Sequence, residues 1–200
     1  MGAVSTPLHA DATTTLQTWS APDGDQDALR HAYLAFLAAR ADATERTCAP
    51  GHLTASVVVL SPDAERVLLT RHARVRRWLQ LGGHVEPEDE GLAAAAGREA
   101  REEGGFDVIV DPVPVDLHCH PIVCRGYTDP TRHLDVRFVA VAPEGARERA
   151  SEESLDLRWF DVDALPDVPA EVATLVARAA QRAGTTGTMS GTSRLDRREV

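Results

Sequence analysis

Aromatic residues make up only 4% of this 200-residue chain, so its core must rest mainly on Ala, Val and Leu within a hydrophobic fraction of 43%. Cysteine is also scarce. The three present, Cys48, Cys119 and Cys124, make no disulfide framework, and a reducing cytoplasm is the economical setting. No run approaches the roughly 18 apolar residues of a membrane span. The opening MGAVSTPLHADATTT lacks the basic start and apolar core of a signal peptide. Positive charge is short too. A formal net charge of -10 argues against a general DNA- or RNA-binding surface, which needs a positive footprint. A nucleotide ligand remains compatible, because bound divalent cations invert the local sign.

Residues 1–24 are rich in Thr, Asp and Pro and are expected to lie loosely on the surface. Leu29, Tyr33, Phe36 and Leu37 recur at helical spacing and predict a helix over Asp25–Arg40. Residues 1–45 then form an N-terminal segment whose one helix packs on the domain. HLTASVVVL (52–60) reads as a strand, SPDAE as a turn and RVLLTRH (66–72) as the hairpin partner. A second helix is expected over Glu90–Glu103, ended by Gly104-Gly105. Further strands fall at Phe106–Val110, Val115–His120 and His133–Ala142, with a last strand in LDLRWFDVDAL and a closing helix over 169–182. The polar, glycine-rich end predicts a flexible tail at 184–200 and leaves 46–183 as the folded domain. Strands interleaved with helices give one α/β layered domain on a mixed sheet.

The stretch with most chemistry is LQLGGHVEPEDEGLAAAAGREAREEGGF, 79–106. On a helix Glu99, Glu102 and Glu103 fall within about one third of the circumference. Such carboxylates repel one another unless cations neutralise them. Their hard oxygens suit magnesium or manganese, especially where substrate phosphate completes the shell. The pair Gly82-Gly83 permits a close backbone approach, and its carbonyls could join that shell. Arg98 can hold a carboxylate by a fork of hydrogen bonds. Alanines 93–96 favour helix and let it lie close on a sheet. Gly97 departs from them at a cost of about 0.8–1 kcal/mol relative to Ala. A solvated acidic helix is the competing reading.

This stretch resembles the Nudix box of the Nudix hydrolases: Gly, five residues, Glu, seven residues, then Arg-Glu-apolar-x-Glu-Glu-x-Gly-apolar. Gly83 matches the first glycine, and Arg98 to Phe106 match the second half at every fixed position. Between them lies one extra residue, so Asp89 or Glu90 stands for the first acidic position, with Asp89 preferred. The resemblance implies an α/β/α sandwich around a mixed β-sheet over about residues 50–168. It also implies hydrolysis of a nucleoside diphosphate linked to another group. Carried over residue by residue, Glu99, Glu102 and Glu103 bind Mg2+ (or Mn2+), joined by a Gly82 or Gly83 carbonyl and supported by Glu86, Asp89 and Arg98. Family members often add an acidic residue from a late loop. Here Glu152 and Glu153 are available, and Glu153 is the choice because it lies immediately before the segment that re-enters the sheet. A solvated charge run is the alternative.

Substrate contacts are less marked. Arg74, Arg76 and Arg77 suit phosphate and Trp78 suits a base, although a solvated loop and a core anchor explain them as well. Period two puts His118 with His120, and His133 with Asp135, on shared faces. If those faces meet they form a polar pocket floor where histidine titrates near neutrality, with His120 and Asp135 as candidate substrate contacts. Core or surface histidines are the plainer account, and His52 and His84 are weaker candidates. His118-Cys119-His120 with Cys124 offers zinc-type ligands, but no second ligand pair is visible and the stretch alternates like a strand. The expected function is a metal-dependent pyrophosphohydrolase, monomer or homodimer, acting on a nucleotide-type small molecule by attack of a metal-bound water on phosphorus. NTPs, NDP-sugars and dinucleotides all qualify. The competitors are a catalytically silent nucleotide-binding or regulatory module and a prenyl diphosphate isomerase using Cys119.

Overall fold

The computed structural model describes residues 6–124, 128–151 and 154–189, with side chains up to residue 185. Helices α1 (Pro7–Thr18) and α2 (Gly24–Ala39) come first. Strands β1 (His52–Leu60), β2 (Arg66–His72), β3 (Trp78–Leu79) and β4 (Leu81–His84) lead into helix α3 (Leu92–Gly104). Strands β5 (Ile109–Val110), β6 (Asp116–Ile122), β7 (Thr131–Val141) and β8 (Ser154–Asp161) then precede helix α4 (Ala170–Met189). No helix among the described residues is long and apolar enough to cross a membrane.

Every residue of β1 is buried. Its run Val57–Leu60 is the unbroken apolar pattern of a strand covered on both faces. β1 pairs in parallel with β7 and antiparallel with β2 and β4, so the sheet is mixed. β7 carries β5 and β6 on its other side, and β2 carries β3 and β8. Alternation sends Leu53, Ala55, Val57 and Val59 into the core shared with α1, α2 and α3. Val58 and Leu60 point the opposite way, into a second cluster with Val172, Leu175, Val176 and Ala179 of α4. The result is an α/β/α sandwich around a mixed sheet.

The predicted strands at 52–60 and 66–72 occur as read. The N-terminal reading needs correction. Residues 7–18 are a helix that buries Leu8, Ala12 and Leu16, a four-residue recurrence hidden by the threonines between. Thr13, Thr14 and, further on, Thr18 donate to carbonyls four residues back within the helix. Thr6 accepts the His9 N–H and Pro7 fills the first helical position, where its missing donor matters least. The strand expected over Phe106–Val110 shrinks to Ile109–Val110, because Phe106 and Val108 pack on the core beneath α3. α4 runs on to Met189, beyond the expected tail boundary.

Candidate metal and phosphate site

Helix α3 sets Ala95, Ala96 and Ala100 against the sheet, and only small side chains allow an approach that close. Its N-terminus has no side-chain cap of its own. Asp11 on α1 supplies one, accepting the Leu92 N–H at 2.8 Å. An added Cβ at Gly91 would lie 2.6 Å from that carboxylate. The first helix of the chain thus anchors α3, which sequence reasoning missed because the two segments are far apart in the chain. Gly105, at φ 85°, closes the other end.

The carboxylates gather where α3 passes β4. Gly82 has φ 147°, and a Cβ there would stand 2.3 Å from the Ser56 Cβ, so no side chain fits. Its N–H donates to Glu103 at 3.0 Å, and Glu103 is only 9% exposed. At Gly83 an added Cβ would meet a Glu99 oxygen at 2.7 Å, so that carboxylate lies against bare backbone. Glu102 is exposed on the same helix face. Arg98 joins the group. Its Nε and Nη2 grip the two oxygens of Asp89 at 3.0 and 3.1 Å, while Nη1 donates to Glu99 at 3.0 Å and Glu102 at 3.2 Å. Nη2 also donates to the His84 carbonyl at 2.9 Å. Asp89, rather than Glu90, therefore takes the guanidinium. Its bonding, first among the causes, raises the Arg98 pKa further. Glu86 sits at the margin, its carboxylate 3.9 Å from Arg98 and its N–H donating to Asp89.

Three glutamates in the last turns of a helix oppose its macrodipole, which favours cations at that end. A helix built for stability alone would not carry them there. One arginine offsets part of the repulsion. The donors are all hard oxygens, as Mg2+ or Mn2+ prefers, so the residues present fit such an ion.

The remaining predicted contacts divide. Arg74 is exposed and donates to the Val123 carbonyl at 2.9 Å, tying the loop after β2 to the end of β6; Arg76 and Arg77 are exposed beside it. Trp78 is half-buried. It packs edge-on against Phe160 with ring centroids 4.8 Å apart, in the cluster beneath α4. Asp135 is likewise turned inward, 4% exposed. It accepts from Thr54 at 3.0 Å, Ser56 at 2.8 Å and Arg137 at 2.9 Å, so both oxygens brace the sheet rather than face a ligand. Burial would raise its pKa, but Arg137 and Ser56 outweigh it and hold the carboxyl low. Glu152 and Glu153 lie outside the described residues.

The faces expected to meet do meet: His118 stands opposite Asp135 and His120 opposite His133. Their titration differs from the expectation. Burial holds His118 at about 4 and His133 at about 3, and lowers His120 as well, so the floor is neutral near pH 7. His84, its pKa held at about 4 by burial, and His52, also lowered by burial, extend the same surface. Among the described residues, the group whose ligand atoms converge is not the glutamates. It is His52, His84, Cys124 and His133, with all four atoms within 4.8 Å of one another. Of the zinc-type residues noted in the sequence only Cys124 takes part, and Cys119 is exposed on the opposite side of its strand.

The NUDIX domain model matches residues 50–180. The chain belongs to the Nudix family. A curated relative, the NAD-capped RNA hydrolase NudC of Stutzerimonas stutzeri (strain A1501), is 33% identical over 123 residues, 59% of this chain. That match spans 40% of the relative's length. Among solved structures, the MutT protein of Methanosarcina mazei Go1 aligns at a TM-score of 0.51 and 19% identity, covering 68% of this chain and 97% of that one. The E. coli dihydroneopterin triphosphate pyrophosphohydrolase gives 0.51 at 22% identity, covering 65% and 95%. At these identities the structures speak for the Nudix fold alone.

Proposed function

We propose that this Nudix domain is a magnesium- or manganese-dependent pyrophosphohydrolase that cleaves a phosphoanhydride in a nucleotide-type small molecule. The observation that carries the reading is the set Glu99, Glu102 and Glu103 beside the bare backbone of Gly82-Gly83. Glu99, Glu102, Glu103 and a Gly82 or Gly83 carbonyl would hold the ions, which supply charge neutralisation on the diphosphate and an acidified water at phosphorus. The protein's own part is positional. Arg98, clamped by Asp89, orients Glu99 and Glu102. The Gly82 N–H keeps the Glu103 carboxylate turned toward β4, and either Glu102 or Glu103 would accept the proton of the attacking water. Glu153 is the candidate for an added acidic group. Arg74, Arg76 and Arg77, exposed at one edge, offer forked donors to phosphate.

Substrate choice rests on loops rather than on the acidic cluster. The curated relative acts, by its name, on NAD-capped RNA, so dinucleotides belong in the assay with NTPs and NDP-sugars. Incubating the protein with magnesium and this panel is the direct test. Turnover of at least one class is expected, lost on removing the metal. No turnover of any member while magnesium binds normally would count for a silent nucleotide-binding module instead.

A further inference from the structure

A second group of converging ligand atoms begins one residue beyond the glycine pair, and its chemistry differs from that of the glutamates. His52 opens β1, His133 stands directly across from it on β7, His84 ends β4 and Cys124 follows β6. The three imidazoles surround a common point, with ring centroids 5.1, 5.0 and 4.9 Å apart. All three Nε2 atoms approach the Cys124 sulfur, at 3.2 Å from His133, 3.6 Å from His84 and 3.7 Å from His52. Zinc bonds of about 2.0–2.1 Å to nitrogen and 2.3 Å to sulfur set tetrahedral nitrogen–sulfur edges of about 3.5 Å. The observed spacings bracket that value.

The surroundings of His52 are those of a ligand. The His52 Nδ1 faces the Cys48 carbonyl at 3.4 Å. A carbonyl only accepts, so Nδ1 carries the proton and Nε2 turns its lone pair toward the sulfur. Metal-bound histidines are usually oriented in this way. As a purely hydrogen-bonded cluster, three ring nitrogens would have to share one thiol, a weak partner with a single proton. His52 and Cys124 are buried while His84 and His133 are half-buried, which leaves a way in for an ion.

We infer that His52, His84, His133 and Cys124 form a four-coordinate site for one zinc-class divalent ion, tying β4 to β1, β7 and the segment after β6. Three imidazoles and a thiolate suit zinc and do not suit magnesium. Four protein ligands close the shell, so the ion is structural and no water is activated on it. Binding displaces the Cys124 thiol proton to solvent. The ion would also steady the active face, since His84 adjoins Gly83 and its carbonyl accepts from Arg98. The proposal does not depend on the hydrolase reading.

The test uses the full chain without a histidine tag, stripped by a chelator and titrated with zinc and with cobalt. One zinc per chain and a raised melting temperature are expected. Cobalt should give the thiolate charge-transfer band and visible bands of a tetrahedral centre. Cys119→Ser should keep the band, whereas Cys124→Ser should lose it and weaken zinc by roughly 100-fold. His84→Gln serves as the second ligand variant, and if Cys124→Ser does not fold, the cobalt spectrum of a chain carrying both Cys48→Ser and Cys119→Ser decides. No stoichiometric zinc, a band lost with Cys119→Ser, or full affinity in Cys124→Ser or His84→Gln would overturn the proposal and leave a hydrogen-bonded cluster.

Discussion

Gly83 and His84 are neighbours in the chain, yet they belong to two clusters of opposite chemistry. On the α3 side, Glu99 and Glu103 meet the glycine pair as hard, charged oxygens held by one arginine. On the other face of β4, His84 meets two more imidazoles and a thiol that burial keeps uncharged. The first cluster resists closing by itself because its members repel. The second packs closely because its members carry no charge. Proximity alone is therefore a poor guide to which cluster performs chemistry, and donor type is the better one.

The largest effect that would break this comparison is catalytic. Glu103→Gln should lower magnesium-dependent turnover by roughly 100-fold or more with the fold intact, since it removes a charged ligand. Zinc stoichiometry should not change. A near-normal rate at saturating substrate would remove Glu103 from its role. Next comes Gly82→Ala, which forces a side chain into Ser56 and a positive φ, and should destabilise by about 1–3 kcal/mol in urea unfolding. An unchanged midpoint would mean that β4 shifts freely. Asp11→Ala should cost about 1 kcal/mol by removing the α3 cap from outside the box. A loss within error would show that α1 does not anchor α3.

The smallest effect concerns the neutral floor. His118 has a folded pKa of about 4 against 6.5 when exposed. The unfolded chain thus binds the proton first, and stability is full above about 6.5 and falls as pH drops toward 4. In chelator-treated protein, His118→Gln should flatten the acid limb of melting temperature against pH. An identical slope in both proteins would place the proton uptake elsewhere.

The acidic site could be read along the chain because its parts are contiguous. Gly83, Asp89, Arg98 and the three glutamates lie within one turn and one helix, where a fixed periodicity sets faces without knowledge of the fold. The same holds for β1 and β2, joined by a short turn. Helix α1 was hidden because its apolar residues are few and its threonines mimic a loop. The cap from Asp11 and the cluster of His52, His84, Cys124 and His133 were illegible for a different reason. Each depends on long-range placement, and the parallel register of His52 with His133 exists only once β7 has crossed to lie beside β1. Trp78 was ambiguous between a base contact and the core, and it packs half-buried against Phe160, while Asp135 is buried in hydrogen bonds within the sheet.

The most direct measurement of the central claim follows the attacking oxygen. A substrate turned over in the magnesium screen is hydrolysed in water enriched in heavy oxygen, and the products are weighed by mass spectrometry. One heavy oxygen is expected on a phosphate-bearing product, with formation that stops when magnesium is removed and nearly stops in Glu103→Gln. Label confined to the group that carries no phosphorus, or hydrolysis indifferent to magnesium, would contradict the claim.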